Sequence, residues 1–236
     1  TAQILQHLRT LAPGSTDTDL PGRLVTMCTS CVPVTGAGII VMADSGPGAM
    51  LASTDGPARI MEELQFTLGE GPCVDASTSG RPVLQPELAR TGSQRWPAFA
   101  AGALDAGVRA IFAFPLQVGG IRVGVLDLYR DVEGSLDDRE LAQALAFADA
   151  ATSILLQLQA RPGSDDREAG LVELIEDRAE VHQATGMVSV QAGRSLAAAL
   201  VLLRAHSYAA ERPILDVARQ VIARTLRFDP EDDHHE

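Results

Sequence analysis

Residues 109–128 read Arg-Ala-Ile-Phe-Ala-Phe-Pro-Leu-Gln-Val-Gly-Gly-Ile-Arg-Val-Gly-Val-Leu-Asp-Leu, two apolar runs on either side of a pair of glycines. The run from Arg109 to Val118 is apolar enough for a buried strand. Gly119-Gly120 favours a tight turn, and the segment from Ile121 to Leu128 has the alternating character of a returning strand. This stretch therefore predicts a β-hairpin in the middle of the chain.

The segments flanking this hairpin alternate between strand-like and helical patterns. A second β-rich pair, 38–42 and 49–53, encloses a turn at 44–48. Hairpin-joined strands between helices indicate an α+β domain, an antiparallel sheet flanked by helices. The helices predicted for this domain are an N-terminal helix carrying Ile4 and Leu8, one from an Asp19 cap to about Val32, one over 57–66, and one from an Asp137 cap to Gln159.

A break at Ala160-Arg161-Pro162-Gly163-Ser164 separates this domain from the rest of the chain, because Pro and Gly end helices and mark linkers. No strand pattern follows it. Three helical segments, expected over 168–191, 196–208 and 213–228, indicate a small all-α bundle. The expected organisation is a first domain over 1–160, a linker over 161–167, a helical domain over 168–228 and a disordered acidic tail over 229–236.

The charge of the chain restricts its partners. All 19 basic residues are Arg, and with 31 acidic residues they give a net charge of −12. An acidic surface repels phosphate, which disfavours non-specific nucleic-acid binding by the whole molecule. The chain has three Cys, no apolar run of the roughly 20 residues that a membrane span needs, and no signal-peptide pattern. We therefore expect a cytoplasmic protein with reduced thiols and no membrane partner.

One segment reverses this charge. Residues 191–228 carry six Arg and two acidic residues, a local net charge of +4. A helical projection of the predicted third helix places Arg212, Arg219 and Arg227 on one side, opposite apolar residues that would face the bundle. An exposed row of Arg can bind phosphate. The alternative is that these are ordinary surface residues of a chain that has no Lys.

The predicted long helix over 168–191 carries two apolar stripes. One repeats every seven residues and the other lies beside it. One stripe can pack within the bundle and the other against a second copy of the helix, so the pattern favours a homodimer formed through helices. The first stripe is Leu174, Val181 and Val188, and the second is Leu171, Ile175, His182 and Gly186.

Three motifs occur in order in the second domain. They are Val181-His182-Gln183-Ala184-Thr185-Gly186-Met187, then Gly193-x-Ser195 with Ala199-Leu200-x-x-Leu203-Arg204, and finally Ile214-x-Asp216-Val217-Ala218-x-x-Val221. Together they resemble the ANTAR family, an RNA-binding three-helix domain of transcription antiterminators. The chain departs from the family pattern at His182 and Ala198, where the family has Glu, and at Thr185, where it has Lys.

The first domain carries its own set of motifs. They are Leu68-Gly69-Glu70-Gly71-Pro72-Cys73-Val74-Asp75-Ala76, Arg95-Trp96-Pro97, Gly107-Val108-Arg109 and Phe112-Ala113-Phe114-Pro115-Leu116. This part resembles a GAF domain of the kind that precedes ANTAR in actinobacterial regulators. The resemblance implies a sensor with a pocket for a small-molecule signal. Haem is disfavoured, because His7 is the only His before the linker. The residues expected to contact the ligand are Cys73, Asp75, Trp96, Phe112 and Phe114.

The combined resemblance implies a signal-responsive RNA-binding regulator of transcription antitermination, in which the GAF domain gates the ANTAR output. The implied partners are RNA hairpins in mRNA leaders, bound by a homodimer. Gln183 and Thr185 are expected to make polar contacts with RNA. Arg204, Arg212 and Arg219 are expected to bind phosphate or stack on bases. Neither catalytic residues nor metal ligands are expected.

Two alternatives stay open. In the first, the replacement of the family Lys by Thr185 marks a bundle that has lost RNA binding and serves as a protein-interaction regulator. In the second, less favoured, the protein is a thiol-dependent enzyme with a GAF fold. The positions of Cys28, Cys31 and Cys73 do not resemble those of the GAF-fold methionine-sulfoxide reductases. Cys28-x-x-Cys31 is interpreted as two small core residues, with a redox switch as the alternative.

Overall fold

The computed structural model describes residues 1–10, 20–43, 46–54, 56–159, 165–210 and 212–228; for 9–10, 43, 46–47, 49, 159 and 165–178 it describes the backbone without the side chains. The chain divides into two compact units, Thr1–Ser164 and Asp165–Glu236. Each unit has buried apolar residues of its own, and each is described by itself. The tail expected over 229–236 lies outside the described residues.

The first unit is built on a five-stranded antiparallel sheet. Its strands are β1 (Gly36–Ala43), β2 (Gly46–Ser53), β3 (Val83–Gln85), β4 (Ala110–Val118) and β5 (Ile121–Arg130), and their order in the sheet is β2-β1-β5-β4-β3. The hairpin predicted over 109–128 is confirmed as β4–β5. Gly119 in its turn has a φ of 58°, a conformation that glycine adopts without a steric penalty.

Helices cover both faces of this sheet, which confirms the α+β class. On one face lie α1 (Ala2–Thr10), α2 (Leu20–Cys31) and α7 (Asp138–Gln159). On the other lie α3 (Pro57–Leu68), α4 (Pro72–Ser79) and α6 (Pro97–Asp105), with a π-helical turn (Leu88–Gly92) and α5 (Ser93–Arg95) leading into α6.

Alternate residues of the two central strands face the two helical layers. Phe112 and Phe114 of β4 and Leu126 of β5 lie in the core beneath α2 and α7, the first core. Ile111 of β4 and Tyr129 of β5 lie in the core beneath α3, α4 and α6, the second core. Because both faces of these strands are buried, both sets of alternate residues are mainly apolar.

The segment between α3 and β4 holds the elements that the sequence patterns did not predict: α4, β3, the π-helical turn, α5 and α6. None of them exceeds nine residues. Hydrophobic periodicity becomes informative over windows of about 11 residues or more. These elements are therefore too short to show a period, and several begin or end at Gly or Pro.

Helix α7 begins with a reciprocal cap. The backbone N–H of Glu140 donates to Asp137 Oδ1 at 2.7 Å, and that of Asp137 donates to Glu140 Oε2 at 2.9 Å, which is a capping box. Among the described residues, Asp138–Leu158 is the one unbroken helix whose length and composition would allow it to cross a membrane. Its buried residues belong to the first core, which accounts for its apolar composition.

The described part of the second unit consists of α8 (Asp165–Ala192), α9 (Leu196–Ala209) and α10 (Ile214–Ile222). Helix α8 starts inside the segment expected to be a linker. It ends at Ala192, and Gly193 after it has a φ of 63°. Ser195 then caps α9, since its side chain accepts a hydrogen bond from the backbone N–H of Ala198 at 3.3 Å.

The third helix is shorter than predicted. It ends at Ile222 rather than near Phe228, because Arg224 has a φ of 60°, a left-handed conformation that does not continue a helix. The chain then turns back, and the backbone N–H of Phe228 donates to Gln191 Oε1 at 3.0 Å. Arg212 precedes the start of the helix at Ile214 and Arg227 follows its end, so the prediction of an Arg row along one helical face is wrong.

The two predicted stripes of α8 differ in exposure. Val181 and Val188 are buried inside the second unit, whereas His182 is exposed. A Cβ added to Gly186 would have no heavy atom within 4 Å. The first stripe thus packs within its own bundle and the second lies at the surface, while the homodimer stays a prediction. The stripe residues outside the described side chains are Leu171, Leu174 and Ile175.

Candidate functional site

One acidic residue, Asp127, lies in the middle of the apolar strand β5. Leu126 and Leu128 on either side face the first core, so Asp127 faces the second, where its exposed fraction is 0%. Its neighbours across the sheet are Gly38 on β1 and Ala113 on β4. Since neither has a polar side chain, the carboxyl group depends on the helices above it and on its own strand for hydrogen bonds.

Two hydrogen bonds of Asp127 meet at one of its oxygens. Gln65 Nε2 donates to Asp127 Oδ2 at 2.9 Å, and the Tyr129 hydroxyl lies 3.3 Å from the same atom. That hydroxyl also lies 3.0 Å from Oε1 of Glu62, a residue only 3% exposed. It has one hydrogen to donate, so it can serve one carboxyl group at a time. Asp127 Oδ1 has no hydrogen-bond partner among the described residues.

Burial controls the ionisation of this cluster. It raises the pKa of Asp127 to about 7, against the lowering effect of hydrogen bonds from Gln65, Tyr129 and Cys73. Burial also raises the pKa of Tyr129 well above its ordinary value, and the negative charges of Asp127 and Glu62 raise it further. A low-dielectric surrounding disfavours the charged form of an acid. The cluster can therefore hold a protonated carboxyl group close to neutral pH.

The motif over 68–76 keeps Gln65 in place. Gln65 Oε1 accepts a hydrogen bond from the backbone N–H of Cys73 at 2.7 Å, while its Nε2 donates to Asp127. One amide group thus links the first turn of α4 to β5. Gly71 has a φ of 135°, and a Cβ at this position would lie 2.7 Å from Gln65 Oε1. A side chain at position 71 would displace the amide.

The same motif fixes the start of α6. Glu70 Oε1 accepts hydrogen bonds from the backbone N–H groups of Ala98 at 2.9 Å and Phe99 at 2.8 Å. A carboxylate at a helix N-terminus satisfies free N–H groups and interacts favourably with the helix dipole. Glu70 therefore caps a helix that begins far along the chain, a role that no local sequence pattern indicated.

Three of the five predicted ligand residues lie on the same side of the sheet as this cluster. Cys73 is fully buried in the second core and Trp96 is 2% exposed. The Trp96 Nε1–H donates to Asp75 Oδ2 at 3.2 Å, and Arg95 makes an ion pair with the same oxygen at 2.7 Å. Asp75 and Trp96 thus anchor α4 to the segment before α6.

The other two predicted ligand residues, Phe112 and Phe114, are on the opposite side of the sheet. Both belong to the first core, beneath α2 and α7, so they cannot line one pocket with Cys73 and Trp96. The expectation of a single lining set is wrong because every second residue of β4 faces away. The residues of this hairpin that do face the second core are Ile111, Ala113, Val125, Asp127 and Tyr129.

The comparisons with known proteins agree with this geometry. A family model described as GAF domain matches residues 17–155, more than half of the chain. The chain belongs to the GAF domain family. No curated protein matches it. The matched residues cover the sheet and most of the helices on both of its faces, and thus include the whole Asp127 cluster.

Solved GAF domains share the fold of this one. The GAF domain of a phosphoenolpyruvate-protein phosphotransferase from Acinetobacter is 10% identical, with a TM-score of 0.50 over 67% of this chain and 94% of that chain. The GAF domain of the corresponding protein from Coxiella burnetii is 12% identical, with the same TM-score and coverage. At these identities the similarity concerns the fold.

Outside the GAF domain, two predicted RNA contacts on α8 have different surroundings. Gln183 is exposed. Thr185 is 6% exposed, and its hydroxyl donates to the backbone carbonyl of Val181 at 2.7 Å. A hydroxyl turned onto the preceding helical turn is not presented to a partner. Thr185 is therefore not part of the accessible surface of the bundle.

The three predicted Arg contacts also differ. Arg204 is partly buried, and burial lowers its pKa. Arg219 Nε donates to Glu180 Oε2 at 2.8 Å in an exposed ion pair. Arg212 is exposed, and with the Gln220 amide turned so that its oxygen faces the guanidinium, Nη2 donates to it at 2.9 Å. Arg212 and Arg219 are thus accessible, whereas Arg204 is partly covered.

None of the three cysteines forms a disulfide bond. Cys28 is buried in α2, and burial raises its pKa to about 12. Cys31, one turn later, is exposed. Cys28 belongs to the first core and Cys73 to the second, on opposite faces of the sheet. Within the described ranges, no three His, Cys, Asp or Glu side chains form a group that could hold a metal ion.

Proposed function

We propose that this protein is a signal-responsive regulator of transcription antitermination, in which the GAF domain gates a second, RNA-binding unit. The expected partners are RNA hairpins in mRNA leaders, bound by a homodimer. The observation that carries the proposal is the set of exposed arginines on the second unit of an otherwise acidic chain. The ANTAR-like motifs over 181–221 support it, because they lie on the three helices of this unit.

The exposed arginines lie near two different parts of α8. Arg219 of α10 pairs with Glu180 at one level of α8. Exposed pairs of this kind contribute little to stability, so phosphate can replace the carboxylate. The hydrogen bond between Phe228 and Gln191 brings the segment after α10 back to the C-terminal end of α8. The exposed residues near this end are Arg194, Arg224 and Arg227.

A link between the sheet and α7 supports the gating role of the GAF domain. Arg130, at the end of β5, is 8% exposed. Its Nε donates to the carbonyl of Pro33 at 2.6 Å, its Nη1 to that of Ser135 at 3.2 Å, and its Nη2 to Glu140 Oε2 at 3.0 Å. Glu140 is also part of the cap of α7. A change in β5 would therefore reach the start of the helix that precedes the second unit.

The test is a titration of the full-length protein against a leader RNA with two hairpins, at several salt concentrations. The double variant Arg224→Glu/Arg227→Glu should bind more weakly. The slope of log affinity against log salt should fall by about one for each arginine that contacts phosphate. Arg224→Glu keeps a non-glycine residue in the left-handed position, so the backbone preference is unchanged.

The matched control is Arg122→Glu/Arg139→Glu, two exposed arginines of the GAF domain. It changes the total charge by the same amount and should retain most of the affinity. An equal loss in both variants would show that net charge, rather than this surface, governs binding. A complete lack of RNA binding at low salt would contradict the proposed function.

A protein-interaction regulator is the second candidate, and one observation favours it. Val201 is 62% exposed and Tyr208 is 63% exposed, and their spacing of seven places both on one side of α9. Large exposed apolar side chains on one face are typical of protein contacts. Buried Thr185, in place of the family Lys, agrees with this reading. The same RNA titration separates the two candidates.

A further inference from the structure

Helix α9 has an outward side without charged residues. Its inward side packs within the bundle through residues such as Ala199, Leu200 and Leu203, which are buried. On the outward side, Val201 is 62% exposed and Tyr208 is 63% exposed. A helix side that faces water normally carries polar residues, so this one indicates a protein contact. The other residues of the outward side are also apolar: Ala197, Ala198, Leu202, Ala205 and Ala209.

The middle of this outward side has the spacing of a coiled-coil seam. Ala198, Val201, Ala205 and Tyr208, here called the α9 seam, follow one another at intervals of three, four and three residues. These intervals are those of the a and d positions of a heptad. Both a positions carry Ala, and the two d positions carry Val and Tyr. Small and large side chains therefore alternate along the seam.

This alternation fits a second copy of α9 that lies antiparallel to the first. In an antiparallel pair, an a position of one helix lies across from a d position of the other. Val201 then faces Ala205 of the second copy, and Tyr208 faces its Ala198. Every layer joins a large side chain to a small one, so the layers can interdigitate. In a parallel pair, Tyr would meet Tyr and Ala would meet Ala, which leaves gaps between the layers.

The charges of the chain favour the same partner. The chain has a net charge of −12, so two copies repel each other wherever charged surfaces meet. The α9 seam avoids this repulsion because none of its residues is charged. Arg204 borders the seam, and in the antiparallel pair it lies towards Ala197 of the second copy rather than towards another Arg. A nucleic acid or a charged peptide would find no opposite charge on the seam.

We propose that two copies of this chain associate through the α9 seam, as an antiparallel pair of α9 helices. The inference rests on the proposed function only in taking the protein to be a homodimer. The interface differs from the exposed stripe of α8 that the sequence pattern favoured. A single pair of short helices buries less than the standard interface of about 1,600 Å², so dimers are in reversible equilibrium with monomers.

The first measurement is sedimentation velocity of the full chain without RNA, from ~1 µM to ~100 µM, the range of a reversible weak dimer. Monomers should predominate at the lowest concentration and dimers at the highest. Added salt should strengthen the dimer, because it screens the repulsion between two acidic copies, whereas it weakens binding to RNA. A chain that stays monomeric over the whole range would overturn the proposal.

Val201→Glu places a charge in the middle of the seam. It should weaken the dimer by about tenfold or more, because the charge would be buried without a partner. The matched control is Val190→Glu on α8, where Val190 is 84% exposed outside the seam; this variant should dimerise like the wild type. Equal weakening in the two variants would overturn the proposal. Loss of the dimer in His182→Glu, on the exposed stripe of α8, but not in Val201→Glu would also overturn it.

A mixing experiment tests the antiparallel arrangement. Ala205→Arg should weaken the dimer for the same reason as Val201→Glu. In a mixture of the two variants, the introduced glutamate of one chain would face the introduced arginine of the other. Dimers should therefore reappear in the mixture, each with one chain of either kind. A mixture that remains as monomeric as its separate components would overturn the proposal.

Hydrogen exchange provides a measurement on the unaltered chain. The amides of α9 should exchange more slowly at the concentration where dimers predominate, because the dimer covers this helix. Exchange in α9 that stays constant while dimers form would overturn the proposal.

These results are independent of the RNA titration. Dimers formed through α9 by a chain that binds no RNA would support this inference and contradict the proposed function. RNA binding by a chain that stays monomeric would overturn this inference and leave RNA binding by the second unit intact.

Discussion

At the residue scale, glycines make room for the buried polar groups of the GAF domain. A Cβ at Gly38 would lie 2.8 Å from Glu62 Oε1, and one at Gly71 would lie 2.7 Å from Gln65 Oε1. Real Cβ atoms do not approach so closely, so a side chain at either position would move the polar group. These two glycines thus determine where the amide and the carboxyl group lie.

Gly71→Ala should destabilise the GAF domain by about 3 kcal/mol or more, since a strained φ costs about 1–3 kcal/mol and overpacking adds about as much. Urea unfolding monitored by Trp96 fluorescence measures the loss. Gly56→Ala is the matched control. Gly56 also precedes a helix at positive φ, 67°, but a Cβ there would have no neighbour within 4 Å. Equal losses in the two variants would show that the contact with Gln65 is unimportant.

The sequence predicted least well which face of the sheet each side chain of the site lies on. Phe112 and Phe114 were expected beside Cys73, but they belong to the other core. In a sheet buried on both faces, both alternating sets are apolar, and the pattern does not distinguish them. Asp127 is the residue whose sequence context could have located the site. An acidic residue between Leu126 and Leu128 in a buried strand requires polar neighbours.

At the scale of elements, the GAF domain holds α6 in place through a residue distant in the chain. Glu70 caps this helix with two hydrogen bonds. Periodicity predicted the long elements, α2, α7, α8, α9 and the β4–β5 hairpin. It missed α4 to α6, whose positions depend on contacts such as those of Glu70, Gln65 and Asp75. Such contacts become visible only once the chain is folded.

Glu70→Ala should lower the free energy of unfolding of the GAF domain by about 1–2 kcal/mol, the usual effect of losing a helix cap. Glu70→Gln keeps an acceptor oxygen and should lose less. Glu63→Ala, at an exposed position of α3, is the control and should change stability by less than about 0.5 kcal/mol. If Glu63→Ala were as harmful as Glu70→Ala, the cap would not explain the loss. Urea unfolding measures all three.

The end of α10 gives a prediction for the second unit. Arg224 is the only residue other than glycine with a positive φ in the described part of the chain. Arg224→Gly should relieve this strain and stabilise the unit by about 1 kcal/mol. Hydrogen exchange of the amides of α10 would detect the gain as slower exchange. Arg227→Gly removes the same charge without relieving strain, and slower exchange in that variant would contradict the explanation.

At the scale of the whole molecule, the chain consists of two units with separate buried cores. Separate cores need not unfold together. We predict two transitions in urea: Trp96 fluorescence follows the first, and the helical circular dichroism signal, to which both units contribute, shows the first and a second. Gly71→Ala should shift the first and leave the second in place. Coincident transitions that shift together in this variant would show that the two units unfold as one.

The thiols of the GAF domain allow the oligomeric state to be measured without substituting any residue. Cys31 is exposed at the end of α2, whereas Cys28 and Cys73 are buried. A nitroxide reagent added to the native protein should therefore attach at a single position. A monomer then carries one spin and gives no dipolar signal, while a symmetric pair of chains carries two spins and gives a distance between its α2 helices.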